Sequence, residues 1–88
     1  MIHKNIHITG RVQGVGFRYA TRNAARQFSV TGFVRNLPDG NVYIEAESTP
    51  EQMELFISWC WEGPPRADVK YLDLTDGEVR GFEEFVIK

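Results

Sequence analysis

Glycines and one arginine are concentrated in the stretch GRVQGVGFR, residues 10–18, which we call the glycine loop. Glycines adopt backbone conformations barred to other residues and let a ligand approach main-chain amides closely. The following residues predict a helix, whose first amides have no intrahelical partner. Arg18 lies in the first turn, where a cation opposes the helix dipole by about 0.3–1 kcal/mol. An anion bound between the amides and this guanidinium, which can contact two phosphate oxygens at once, reverses that sign. The stretch therefore predicts a phosphate-binding site.

Two known phosphate-binding loops do not fit the glycine loop. The nucleotide P-loop requires a Gly-Lys pair, and the glycine loop contains no lysine. The dinucleotide-binding pattern requires a third glycine at the position of Tyr19. A purely structural alternative stays open at this point: the glycines form a tight turn, and Arg18 points into water.

The histidines and Asp39 do not suggest a general base or a metal site. His3 and His7 lie on one predicted strand, ~13 Å apart along it, which is too far for a shared metal ion. We expect both histidines to be solvated residues on the outer face of the sheet. Asp39 belongs to a predicted turn, where its side chain is expected to bind local amides.

Cys60 and Arg66 have the spacing of a cysteine-dependent phosphatase loop. The context argues against that chemistry, because Pro64 and Pro65 remove two amides and the predicted helix precedes the motif. We expect Cys60 to pack as a small apolar residue.

Length and composition indicate one domain, residues 1–88, with ordinary hydrophobic and charged fractions. The net charge of −2 argues against a general nucleic-acid binder. No apolar run approaches the ~20 residues of a membrane span, and the N-terminus does not resemble a signal peptide. The single cysteine excludes an internal disulfide and is consistent with a reducing compartment. We therefore expect a cytoplasmic protein that binds neither nucleic acid nor membranes.

Hydrophobic periodicity and turn residues predict the order β-α-β-β-α-β with an additional short strand at the end. The LPDG sequence predicts a turn between the second and third strands, so these two form a hairpin. Ser48 or Thr49 can cap the second helix, with Pro50 in its first turn and Gly63 at its end. This order predicts an α+β fold, a ferredoxin-like α/β sandwich with a mostly antiparallel sheet and two helices on one face. The predicted strands cover residues 2–9, 30–36, 41–47, 67–74 and 82–88, and the helices cover 17–28 and 48–63.

Two sequence elements together resemble the acylphosphatase family. The first is the glycine loop, which fits the pattern Gly-basic-Val-Gln-Gly-Val-x-aromatic-Arg. The second is GFVRNLPDGNVYIEA, residues 32–46, which fits Gly-aromatic-Val-basic-Asn followed by Asp-Gly and a hydrophobic strand. The stretch FISWCWEGPPRADV also resembles the family's second helix and its exit. The chain departs from the family at Ser48, where a glycine is usual, and this departure affects a local turn.

The resemblance implies hydrolysis of acyl phosphates to a carboxylate and inorganic phosphate, without a cofactor or a metal ion. It implies that Arg18 binds the phosphate and that Asn36 orients the water for in-line attack. A monomer acting on a small molecule is expected, and inorganic phosphate or a similar anion is expected to occupy the site. The phosphate-binding amides implied by the resemblance are those of Gln13, Gly14, Val15, Gly16, Phe17 and Arg18.

Three alternatives belong to other functional classes. An RNA-recognition domain shares the element order but stacks bases on aromatic residues of its central strands, and here only Tyr43 is available. A metal carrier of this topology needs a Cys-x-x-Cys in the first loop, which has no cysteine. The third is a non-catalytic module that binds acyl or carbamoyl phosphate, which steady-state hydrolysis of benzoyl phosphate distinguishes from an enzyme.

Overall fold

The computed structural model describes residues 1–88 and contains five strands and two helices. The strands form one sheet in the order β4-β1-β3-β2-β5, antiparallel except for the β2–β5 pair. The predicted ferredoxin-like order is therefore confirmed. The elements are β1 Ile2–Arg11, α1 Phe17–Gln27, β2 Thr31–Asn36, β3 Val42–Ser48, α2 Pro50–Glu62, β4 Asp68–Gly77 and β5 Phe85–Ile87.

The core lies between the two helices and one face of the sheet. Alternation along β1 directs Ile6 and Ile8 into this core, and both are fully buried. The second helix begins as predicted, because the Thr49 side chain accepts a hydrogen bond from the Gln52 amide and Pro50 follows it. Neither helix is long and apolar enough to cross a membrane. The core residues contributed by the helices are Phe17, Ala24, Ala25, Met53, Phe56 and Cys60.

The last two strands differ in extent from their predictions. Strand β4 continues to Gly77, because it pairs with β1 as far as His3. Strand β5 begins only at Phe85, although the Glu84 carbonyl already accepts a hydrogen bond from the Gly32 amide of β2 at 2.8 Å. Residues 78–84, which we call the β4–β5 segment, connect these two strands, and the amides of residues 80–82 contact Glu47 on the sheet face opposite the helices.

The prediction that His3 is solvated is wrong. His3 is 3% exposed, because the β4–β5 segment covers it. The Phe82 ring lies 5.9 Å from the His3 ring, and His3 Nδ1 is 2.7 Å from a carboxylate oxygen of Glu47. His7 is half-buried, and its Nε2 lies 3.3 Å from the Asn41 side-chain amide. Both histidines lie on the outer face of the sheet, as predicted, but the β4–β5 segment covers the part of that face around His3.

Candidate active site

The glycine loop connects β1 to α1, and two of its residues have left-handed backbone conformations. Gly14 has φ 73° and Gly16 has φ 78°, and Gly16 is the N-terminal cap of α1. A Cβ added at either position would meet no protein atom within 4 Å, so the space in front of the loop is open. Val12 and Val15 are buried and fix the loop to the core. The loop therefore presents its main chain to an accessible space.

The amides of residues 13–18 donate no hydrogen bond to another group of the chain. The first bond of the helix runs from the Ala20 amide to the Gly16 carbonyl at 3.0 Å. No side chain caps the helix, and its first turn contains no acidic residue. Consecutive free amides at a helix start combine with the helix dipole to favour an anion. The backbone at this point can therefore bind a phosphate-sized anion.

Arg18 lies in the first turn of α1, directly after these amides. Its Nη1 donates to the Lys88 carbonyl over 3.4 Å, a long and weak contact. The Lys88 amide donates to the Val34 carbonyl at 2.8 Å, which holds this carbonyl beside β2. Arg18 forms no ion pair with an Asp or Glu side chain. Its guanidinium thus directs positive charge toward the end of β5 and keeps most donors available.

Asn36 is the last residue of β2 and is half-buried. Side chains alternate along a strand, so Asn36 lies on the same face as Val34, which is fully buried beneath the helices. Helix α1 packs against β2 and β5 on that face. The Asn36 carboxamide forms no hydrogen bond with another group of the chain, which leaves both its donor and its acceptor available.

A side-chain contact that sequence reasoning missed connects the glycine loop to the turn after Asn36. The Gln13 Nε2 group donates to the carbonyls of Leu37 and Asn41, each at 2.8 Å. From the sequence, only the main-chain amide of Gln13 is assigned to the site. The only sequence signal for this contact is that a glutamine, which has two amide hydrogens to donate, lies in a glycine-rich loop. The sequence pattern does not indicate which carbonyls accept these hydrogens. Asp39 accepts from the Asn41 amide at 3.0 Å, as predicted.

The structure does not bring Cys60 into a reactive setting. Its side chain is fully buried in the core, and burial raises the pKa of the thiol far above its ordinary value. Arg66 is exposed on the segment after α2. The prediction that Cys60 packs as an apolar residue is confirmed. No group of three or more His, Cys, Asp or Glu side chains is placed to hold a metal ion.

The largest groove of the surface lies away from the glycine loop. It measures about 770 Å³ and lies between α2 and strands β1 and β4. Its lining is mainly apolar, with Trp61 and Leu74 partly exposed. Its one cation, Lys4, already forms an ion pair with Asp76. The groove thus has no free positive group, whereas the glycine loop combines open space with free amides and a cation.

Comparisons with known proteins agree with this geometry. The family model described as Acylphosphatase matches residues 4–87. A relative named acylphosphatase from Archaeoglobus fulgidus is 42% identical over 87 residues, which are 99% of this chain and 98% of the relative. The crystal structure of acylphosphatase from Bacillus subtilis superimposes with a TM-score of 0.98 at 34% identity, covering 100% of this chain and 99% of that one. An acylphosphatase structure from Coxiella burnetii gives a TM-score of 0.95 at 31% identity, with 99% and 92% coverage.

Proposed function

The chain belongs to the acylphosphatase family, whose members hydrolyse acyl phosphates, and we propose which of its residues perform this reaction. Arg18 and the amides of residues 13–18 bind the phosphoryl group, and Asn36 orients the attacking water. The observation that carries the proposal is the run of amides without protein acceptors, followed directly by an arginine without an acidic partner. The substrate is a small acyl phosphate.

The glycine loop binds the phosphoryl group and stabilises the negative charge on its oxygens. Free amides and the guanidinium can surround the phosphoryl oxygens, and hydrogen bonds to charged oxygens are about twice as strong as neutral ones. The same donors stabilise the charge on the equatorial oxygens when the phosphorus is attacked. The donors are already fixed by the buried valines and by the two left-handed glycines, so little reorganisation is needed.

Water attack requires no strong general base for this substrate class. The leaving group is a carboxylate, whose conjugate acid has a pKa of about 4, so it departs without protonation. The Asn36 carboxamide accepts from a water and aligns it opposite the leaving group. The new P–O bond forms as the bond to the carboxylate oxygen breaks, and the water's proton passes to a phosphate oxygen. The products are a carboxylate and inorganic phosphate.

We further propose that the protein acts as a single-domain monomer in the cytoplasm. Residues 1–88 form one acylphosphatase-like domain, supported by a single core cluster of 17 buried residues. The domain acts as a monomer, and inorganic phosphate, as a product, also binds the glycine loop. We place it in the cytoplasm, consistent with its one unpaired cysteine, Cys60.

The test is the replacement Asn36→Ala, with Asn23→Ala as the matched control because Asn23 is exposed on α1. We expect kcat for benzoyl phosphate to fall by about 10²–10³-fold in Asn36→Ala, as for other transition-state contacts. The inhibition constant of inorganic phosphate should stay near that of the unmodified protein. Arg18→Ala should instead weaken phosphate binding. Full turnover in Asn36→Ala would contradict the assigned role.

A further inference from the structure

The turn between β2 and β3 is fixed to the glycine loop by one side chain. The Leu37 amide donates to the Asn41 carbonyl at 2.9 Å, and the Gly40 amide donates to the Leu37 carbonyl at 3.2 Å. Each carbonyl also accepts one hydrogen bond from Gln13 Nε2 at 2.8 Å. A carbonyl oxygen has two lone pairs, so both acceptors are fully used. Gln13 therefore contacts both ends of the turn at once.

This contact links the turn that follows Asn36 to the glycine loop. Asn36 directly precedes Leu37, and its carboxamide has no partner of its own within the chain. Its direction is consequently set by the backbone of β2 and of the turn. The two bonds from Gln13 are the only side-chain hydrogen bonds between the glycine loop and residues 36–42. The main-chain amide of Gln13 has no acceptor within the chain, while its side chain contacts the turn that follows Asn36.

The turn has other contacts that keep it folded without Gln13. The Asn41 side chain donates to Asp39 at 3.1 Å and lies 3.3 Å from His7 Nε2 on β1. The hairpin register continues from Asn36 and Val42 along both strands. Loss of the Gln13 bonds should therefore release the position of the turn while its fold is kept.

We propose that Gln13 is a positioning residue that holds Asn36 at the correct distance and angle from the bound phosphoryl group. The inference rests on the proposed function, since it acts through Asn36. A displacement of about 1 Å in an oriented reactant can cost about 10²-fold in rate. The effect should appear in kcat, because the amides and Arg18 that bind phosphate are fixed by other contacts.

The experiment compares Gln13→Met, which keeps the length of the side chain but removes the donor, with Gln27→Met. Gln27 is exposed at the end of α1 and serves as the matched control. For benzoyl phosphate we expect Gln13→Met to lower kcat about 10–100-fold. The inhibition constant of inorganic phosphate and the melting temperature should stay close to those of the control. A merely structural role would weaken phosphate inhibition and lower the melting temperature together with kcat. If Gln13→Met fails to fold, Gln13→Ala, which also lacks the donor and adds no charge beside the proposed phosphate site, replaces it.

A double-mutant cycle with Asn36→Ala decides whether the effect passes through Asn36. In the Asn36→Ala background, Gln13→Met should lower the residual turnover no further. An unchanged kcat in Gln13→Met, or its full effect persisting in that background, overturns the inference while the proposed function stands. Full turnover of Asn36→Ala alone overturns both.

Discussion

Replacing Glu47 by glutamine is expected to destabilise the fold and to flatten its dependence on acid. Glu47 lies on β3, on the sheet face opposite the helices, and its side chain is fully buried. It accepts hydrogen bonds from the amides of Arg80, Gly81 and Phe82 at 2.6, 3.0 and 3.1 Å. His3 Nδ1 lies 2.7 Å from the same carboxylate. One carboxylate therefore holds the β4–β5 segment against the sheet.

The sign of the pH effect follows from the pKa of Glu47. Burial alone would raise this pKa, but the hydrogen bonds from Arg80, His3, Phe82 and Gly81 outweigh burial and lower it from the ordinary value of 4.5. A lowered pKa in the folded state stabilises the fold above the unfolded value and loses that contribution as pH falls through the folded value. Other charged groups nearby are Glu45, 3.2 Å from His3 Nε2, and the Arg80 guanidinium, 3.9 Å from Glu45.

The size of the destabilisation in Glu47→Gln follows from the hydrogen-bond donors that a glutamine at this position leaves unsatisfied. Its NH₂ group fits best at the oxygen shared by His3 and the Arg80 amide, because His3 Nδ1 can accept a bond there when the ring proton lies on Nε2. The Arg80 amide then loses its acceptor, which costs about 1–3 kcal/mol, and the remaining bonds lose their charge assistance. The total is about 2–4 kcal/mol. For a domain of this size that loss lowers the melting temperature by roughly 8–30 °C.

Thermal and urea unfolding between about pH 7 and pH 3 test this reasoning, with Glu54→Gln as control because Glu54 is exposed on α2. The unmodified protein and the control should lose stability as the solution is acidified below the ordinary Glu pKa. Glu47→Gln should be less stable at neutral pH, and its deficit should shrink toward low pH. Equal stability at neutral pH, or a deficit of constant size throughout, would refute the argument.

Two further predictions concern the core and the glycine loop. Because Cys60 is buried and burial raises the pKa of its thiol, iodoacetamide should modify the protein only in denaturant, as followed by mass spectrometry. Rapid labelling of the folded protein would contradict the buried placement of this thiol. Gly16→Ala places a side chain on a residue with φ 78°, so it should lower the free energy of unfolding by about 1–2 kcal/mol, as measured in urea. It should also weaken inhibition by phosphate. Unchanged values of both quantities would contradict this prediction, because the loop would then tolerate another backbone conformation.

The local parts of the fold could be predicted from the sequence because local rules specify them. Alternation along β1, the LPDG turn and the Thr49 cap each depend on residues within a few positions of one another. The extent of β4 and the burial of His3 could not be predicted in the same way. Both depend on partners far along the chain, since Glu47 is 44 residues from His3 and contacts the β4–β5 segment from another strand. Period-two alternation assigns a residue to a face but does not indicate what covers that face.

The candidate site likewise has features that could be predicted from neighbouring residues and features that could not. The open backbone of the glycine loop could be predicted, because the glycines and the helix start are adjacent in sequence. The contact from Gln13 to the turn joins residues 24 and 28 positions apart, and no periodicity encodes such a pairing. The sequence therefore indicates which groups are available to an anion, while the structure is needed to see which contacts orient the residues around them.

The first turn of α1 departs from a general rule of helix stability, and this departure points to a function. Acidic residues in a first turn stabilise a helix by about 0.3–1 kcal/mol, yet this turn has none and contains Arg18 instead. The helix is stabilised elsewhere, by the buried Phe17, Thr21, Ala24 and Ala25 and by Arg26 in its last turn, where a cation is favourable. An acidic residue at the start would repel a phosphoryl group from the free amides. Sequences depart from local rules mainly at functional sites, so the misplaced cation is itself a reason to assign substrate binding to this end of the helix.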